Sequence, residues 1–218
     1  MRYEIKVPLT YDNLNIFERW LFKQRNIKSI HKPRIISSIY YDDVNLGFAN
    51  DNLIGISNRI KIRLRSYNLS ENFNYEFKIK KNKIGTKIII PSKNNINEID
   101  LKKILSDSNK EIIDKSFAKE IKSILINKKL LPIIKVTYKR NYYSFKNSVR
   151  LTFDYPSTYF NYSNMNSINH DHINVLEIKF HPDDYYFAQN LIHNSPFIPK
   201  RFSKYLRALS FTGSAVYI

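Results

Sequence analysis

Cysteine is absent from the 218-residue chain, which excludes disulfides and thiolate metal sites. No apolar run approaches the roughly 20 residues of a membrane-spanning helix. The N-terminal stretch MRYEIKVPLT enters an alternating pattern at once and carries no signal-peptide pattern, so a cytoplasmic protein without a membrane segment is expected. Acidic side chains are also scarce: 19 against 36 Lys and Arg, a formal net charge of +17 that points to a polyanionic partner. Part of the lysine reflects a composition rich in Asn, Ile, Lys and Tyr, as AT-rich genomes tend to encode. Arginine is more informative, because its planar fork suits phosphate bidentately. Only 11 of the basic residues are Arg, and three of them fall between positions 59 and 65.

That stretch, NRIKIRLRSY (58–67), sets Arg59, Lys61, Arg63 and Arg65 at alternate positions, with Ile60, Ile62 and Leu64 between them. Alternate side chains of a strand point to opposite faces, so one face carries cations about 7 Å apart. Other segments repeat the signature. RYEIKVPL (2–9) sets Arg2, Glu4 and Lys6 against Tyr3, Ile5, Val7 and Leu9, and NYEFKIK (74–80) sets Glu76, Lys78 and Lys80 against Tyr75, Phe77 and Ile79. VRLTFDY (149–155) sets Arg150, Thr152 and Asp154 against apolar positions, and NVLEIKF (174–180) does so with Glu177 and Lys179. Residues 33–43, 86–92 and 132–145 read as further strands, the last with Tyr138 and Arg140 on one face. Helical spacing marks 12–24, 116–130, 182–193 and 203–211, the last with Ser203 as an N-cap. Residues 161–172 read as a polar loop. No composition shift marks a boundary, and 1–218 reads as a single domain.

The pattern allows two arrangements. Antiparallel sheets often place apolar side chains inward and polar ones in solvent. Three features favour the reverse. Glu-x-Lys recurs at 4–6, 76–78 and 177–179; the amphipathic helices need apolar strand faces to cover; and 59–65 contains no acid. Two cations about 6 Å apart repel by roughly 3 kcal/mol at an effective dielectric near 20. Interior glutamates and a bound chain of phosphates would offset that repulsion.

The segments YEIKVPL, SIYYDD, RIKIRLRSY, YEFKIKKNKIGTK, PIIKVTYKRNYY, VRLTFD, VLEIKF and RFSKYLRAL occur in an order that resembles the VTC domain, the polyphosphate polymerase branch of the triphosphate tunnel metalloenzymes. The resemblance implies an α+β, mostly β fold: an eight-stranded antiparallel β-barrel tunnel with a charged interior and helices packed outside. It implies transfer of the ATP γ-phosphate onto a growing polyphosphate chain with Mn²⁺ or Mg²⁺. The SPX domain and membrane segment of eukaryotic members are missing, so the chain reads as a stand-alone bacterial-type version.

By the resemblance, Lys6, Arg63, Arg65, Lys78, Arg140 and Arg150 grip phosphate oxygens, with Lys87 in the same set. Lys61, Lys80 and Lys179 are further phosphate-binding candidates. Tyr138 could hydrogen-bond a phosphate, and Ser203 and Lys204 match a phosphate contact at a helix start. Glu177 is the candidate metal ligand, since Mg²⁺ and Mn²⁺ prefer carboxylate oxygens. Glu4 and Glu76 orient lysines, and His170 and His172 read as a surface pair. ATP and inorganic polyphosphate or triphosphate are the expected partners. A triphosphatase with water as attacking group is the first alternative. A non-enzymatic polyanion- or RNA-binding module is the second. The positions between the cations at 59–65 are aliphatic rather than aromatic, so they offer no stacking platform for bases, and no stable nucleic-acid partner is expected.

Overall fold

The computed structural model describes residues 2–81, 84–92, 128–146, 148–163 and 168–215. Ten strands are found among them: β1 (Tyr3–Leu9), β2 (Ile27–Asp42), β3 (Arg59–Tyr67), β4 (Phe73–Lys81), β5 (Ile84–Ser92), β6 (Leu131–Phe145), β7 (Val149–Asp154), β8 (Thr158–Asn161), β9 (Ile168–His170) and β10 (Asn174–Phe180). Four α-helices accompany them: α1 (Leu14–Lys23), α2 (Gly47–Ile54), α3 (Tyr185–His193) and α4 (Lys204–Phe211). Short 3-10 turns at Tyr11–Asn13 and Pro182–Asp184 lead into α1 and α3.

The strands pair in the order β1-β10-β7-β6-β2-β3-β4-β5, with β8 on β6 and β9 on β8. The mostly antiparallel sheet with few helices matches expectation. The closed eight-stranded barrel does not: among the described residues the sheet has ten strands, an eight-stranded path with two ends and β8 and β9 branching from it. Closure depends on strand tilt and on the stagger of the ladder, and side-chain alternation encodes neither. The chain forms two compact units, Met1–Ile36 with Val136–Phe160 and Ser167–Ile218, and Ser37–Lys135 with Asn161–Asn166. Strands β2 and β6 each continue from one unit into the other.

In the first unit, the apolar positions of β1, β7 and β10 are covered by helices. Val7, Leu9, Val149, Leu151, Phe153, Leu176, Ile178 and Phe180 join Phe17 and Trp20 of α1 and Ala188 and Leu191 of α3 in one core. Phe17 stacks on Phe153 at 4.3 Å, and Trp20 Nε1 donates to the Asn194 carbonyl at 3.1 Å. In the second unit, Ile60, Ile62 and Leu64 of β3, Tyr75, Phe77 and Ile79 of β4, and Ile88 and Ile90 of β5 pack with Ile39, Tyr41, Phe48 and Leu130. Both cores therefore use the apolar faces read from alternation, and the charged faces lie opposite.

Two local readings need correction, and one helix was not anticipated. Residues 161–172 are not all loop: β8 extends to Asn161 and β9 spans Ile168–His170. Strand β2 begins at Ile27 rather than at 33, through a segment whose first residues are mostly exposed and so show no alternation. Helix α2 has no amphipathic signature, because side chains preceding it start it. The buried Asp42 carboxylate accepts from the Phe48 and Ala49 N–H groups at 2.9 Å each, and Asp43 Oδ1 accepts from Asn45 and Gly47 at 3.0 Å each. A Cβ on Gly47 would lie 2.7 Å from Asp43 Oδ2, so a side chain there would push the Asp43 carboxylate aside. Of the segment 116–130 expected to be helical, residues 116–127 lie outside the described residues.

Phe77 is fully buried in the second core, whereas Phe22 on α1 is 91% exposed. Phe77→Ala should cost about 3–5 kcal/mol, and Phe22→Ala should stay within about 0.5 kcal/mol. Urea denaturation of the two variants checks this; equal losses would contradict the assignment of faces.

Candidate functional site

Each unit carries one charged sheet face. In the second unit, the β3–β4 ladder sets Arg59 opposite Lys80, Lys61 opposite Lys78, and Arg63 opposite Glu76. The β4–β5 ladder sets Lys78 opposite Lys87. Lys61, Lys78 and Lys87 thus form a row across three strands. Like charges directly opposite one another destabilise a sheet. On this face of β3–β5, Glu76 is the only acid among seven cations.

Glu76 is 3% exposed and binds three cations. It accepts from Arg63 Nε at 2.7 Å and from Lys87 Nζ at 2.6 Å, with Arg63 Nη2 at 2.6 Å and Arg65 Nη1 at 3.5 Å. Burial pushes its carboxyl pKa up, but Arg63, Arg65 and Lys87 outweigh burial and hold it at about 2. Two neighbours from β2 complete the group. Arg65 Nε donates to Ser38 Oγ at 3.0 Å, and Arg63 Nη1 donates to the Tyr40 hydroxyl at 3.3 Å. Burial raises the Tyr40 phenol, yet Arg63, Lys61 and Arg65 bring it down to about 8. Arg65 is buried, Arg63 and Lys61 are half-buried, and Lys78 is exposed.

In the first unit, Lys6 lies opposite Glu177, which lies opposite Thr152, and Glu4 lies opposite Lys179, which lies opposite Arg150. Glu177 Oε2 accepts from Lys179 Nζ at 2.9 Å, and from Arg140 Nη2 and Thr152 Oγ1 at 3.4 Å each. Lys6 Nζ is 3.8 Å from Glu177 and 3.0 Å from Glu4, and donates to the Phe202 carbonyl at 3.2 Å. Burial raises the Glu177 carboxyl, but Lys179, Lys6 and Arg140 hold it well below the usual carboxylate range. Asp154 forms a second centre. It accepts from Arg140 Nε at 2.5 Å, Arg140 Nη2 at 2.8 Å and Lys204 Nζ at 2.6 Å. Here too burial raises the pKa, and Lys204 and Arg140 lower it further than burial lifts it. Tyr138 is buried, with Lys204 Nζ 4.7 Å and the Arg140 guanidinium 5.4 Å from its ring centre.

The two faces gather most of the anticipated residues: Arg63, Arg65, Lys61, Lys78, Lys80 and Lys87 on one, and Lys6, Tyr138, Arg140, Lys179, Glu177 and Lys204 on the other. Arg150 is exposed beside Lys179 in the ladder and makes no ion pair among the described residues. Ser203 caps α4, accepting from the Leu206 N–H at 3.5 Å. Glu76 orients Lys87 as anticipated, and two arginines as well. Sequence reasoning missed Asp154 as a charge centre, because the ladder that sets it opposite Arg140 joins residues 14 apart. It also missed Ser38 and Tyr40. Alternation along SIYYDD would have placed them opposite Ile39 and Tyr41.

The VTC domain profile matches residues 1–212. The chain belongs to the VTC domain family. No curated protein matches. Among solved structures, the PH1819 protein from Pyrococcus horikoshii OT3 is 14% identical with a TM-score of 0.53, over 97% of this chain and 98% of that one. The proposed adenylyl cyclase HpAC1 from Hippeastrum, which has a dominant triphosphatase activity, is 13% identical with a TM-score of 0.54, over 100% and 98%. Likeness at this identity speaks to the fold.

The Glu76 shift has a defined sign. A carboxyl depressed from its ordinary 4.5 to about 2 contributes stability that is complete above 4.5 and lost as pH falls toward 2. The stability gap between the unsubstituted chain and Glu76→Gln should therefore shrink between pH 5 and pH 2 in denaturation curves. A gap that stays constant over that range would contradict the ion cluster.

Proposed function

We propose that the chain is a polyphosphate polymerase that transfers the γ-phosphate of ATP onto a growing chain of inorganic phosphate. One observation carries the reading: the row Lys61–Lys78–Lys87 beside Arg63 and Arg65, seven cations against one acid on a single sheet face. A linear polymer with charge at each phosphate offsets such an array; a single small anion leaves most of it uncompensated. Family membership supports the same reading, as does the charge of +17. ATP as donor and the lack of cysteine fit a cytoplasmic place of action.

The chemistry needs no protein nucleophile. An oxygen of the acceptor chain's terminal phosphate forms a bond to the γ-phosphorus, the bond from that phosphorus to the β–γ bridging oxygen breaks, and ADP leaves. Phosphoryl transfer of this kind rests on in-line positioning and charge stabilisation. On the second unit's face Arg63, Arg65 and Lys78 would hold phosphates together with Lys61, Lys80 and Lys87; on the first unit's face Arg140 and Arg150 would do so with Lys6, Tyr138, Lys179, Ser203 and Lys204. The carboxylate oxygens of Glu177 are hard donors of the type Mg²⁺ and Mn²⁺ take, and such ions often use one or two protein carboxylates with phosphate and water for the rest. Glu177 would hold the divalent ion, which when bound neutralises charge on the phosphates. Lys6, Lys179 and Arg140, which surround Glu177 here, would then turn to phosphate oxygens.

Incubation with ATP and Mn²⁺ should release ADP and build an acid-labile phosphate polymer. Arg65→Ala should slow this by roughly two powers of ten, as expected when about 3 kcal/mol of transition-state stabilisation is lost. Release of free phosphate without polymer would replace this reading with a triphosphatase, the activity of HpAC1. Polyanion binding without turnover would leave a binding module. Glu177→Gln should abolish the metal-dependent rate and keep the melting transition cooperative; activity within a few-fold of the unsubstituted chain would remove Glu177 from the metal role.

A further inference from the structure

Helix α4 carries two cations one turn apart, Lys204 and Arg207, and each reaches a different buried carboxylate. Lys204 meets Asp154. Arg207 meets Asp171, which precedes β10 and whose side chain is 1% exposed. The Arg207 contact is bidentate: Nε donates to Oδ2 at 2.6 Å and Nη2 to Oδ1 at 2.7 Å. Asp171 is itself fixed from several sides. The Tyr159 hydroxyl donates to Oδ2, and the N–H groups of His172 and Ile173 donate to Oδ1 at 2.7 and 3.2 Å. The Asp171 N–H in turn donates to the Ser157 carbonyl at 2.8 Å. The Arg207 guanidinium also lies about 6 Å from the rings of both Phe202 and Phe211.

We propose that Arg207, clamped on Asp171, is a positioning residue that fixes α4 so that Ser203 and Lys204 lie where phosphate is bound. The clamp rests on the phosphate-binding reading of Lys204 for its purpose, though not for its existence. Tyr205, Ala208 and Leu209 bury the underside of α4, but apolar packing is non-directional. A bidentate fork on a carboxylate is directional. Residues three apart lie on one side of a helix, so the fork sets rotation and height for Lys204 as well. Lysine needs this, because its ammonium rides on a flexible four-carbon stem and aims only as well as its backbone is placed. A misplacement of about 1 Å by a remote change can cost orders of magnitude in function. Arg207 donates to Asp171 with both ends of its fork, so its effect on phosphate passes through the helix.

The test is a double-substitution cycle in the full chain, with tripolyphosphate affinity read by titration calorimetry. Arg207→Ala should weaken binding roughly tenfold in the otherwise unsubstituted chain, within the range of coupling between residues that share a network. In a Lys204→Ala background the same change should cost under about twofold. A purely stabilising role would give equal losses in both backgrounds and would overturn the proposal. Arg207→Lys, which keeps charge beside Asp171 but not the fork, guards against a poorly folded alanine variant: it should bind nearly as weakly as Arg207→Ala, and full recovery of affinity would overturn the fork's role. Hydrogen exchange without ligand gives an independent reading: the hydrogen-bonded amides of 207–211 should exchange faster in Arg207→Ala and Arg207→Lys while those of β10 stay protected. Unchanged exchange in α4 would overturn the clamp. If the unsubstituted chain does not bind tripolyphosphate, the phosphate reading of Lys204 fails, and exchange still decides whether Arg207 fixes the helix.

Discussion

Glu76, buried among two guanidiniums and an ammonium, is the contact on which the second unit's charged face depends. Taking a carboxylate out of water is costly, and it is tolerated only where fixed partners replace the water. Here the partners are Arg63, Arg65 and Lys87, from the strands on both sides of β4. The same device recurs in the first unit, where Glu177 and Asp154 share Arg140 and also hold Lys6, Lys179 and Lys204 between them. Removing one partner of such a cluster is more damaging than replacing the whole by apolar packing, because it leaves buried charge uncompensated.

These carboxylates do two things at once. They reduce the repulsion that would otherwise oppose folding of strands so rich in cations. They also fix the cations in place before any anion arrives. Binding by donors already in position avoids the cost of ordering long side chains. The compensation is incomplete by design of the sequence: on β3–β5, one acid stands among seven cations. Strand β5 contributes only Lys87 to that face, with Gly85, Ile89 and Pro91 at the neighbouring positions. The positive potential is therefore concentrated toward β3 and β4.

Much of this was legible in the sequence because the period of two survives wherever one strand face is apolar. NRIKIRLRSY and NVLEIKF show it plainly, and their apolar positions are the ones found in the cores. Helices α1 and α3 were legible for the same reason at a period near 3.6. What escaped has a physical cause in each case. Helix α2 is started by Asp42 and Asp43 rather than by an apolar stripe. The start of β2 is exposed on both faces and has no alternation to read. Asp154 and Asp171 draw their partners from 14 and 36 residues away, which only the folded register reveals. The two ends of the strand path follow from strand geometry, which side-chain pattern does not record.

The central claim is that these faces are built to take a chain of phosphates rather than to be solvated. The most direct measurement is the melting temperature at fixed ionic strength with orthophosphate, pyrophosphate, tripolyphosphate and longer polyphosphate at equal phosphorus concentration. A ligand that binds only the folded state stabilises it by mass action. The account predicts little shift with orthophosphate and a stabilisation that grows with chain length through tripolyphosphate and beyond. A shift independent of chain length, or none with any of the four, would contradict it.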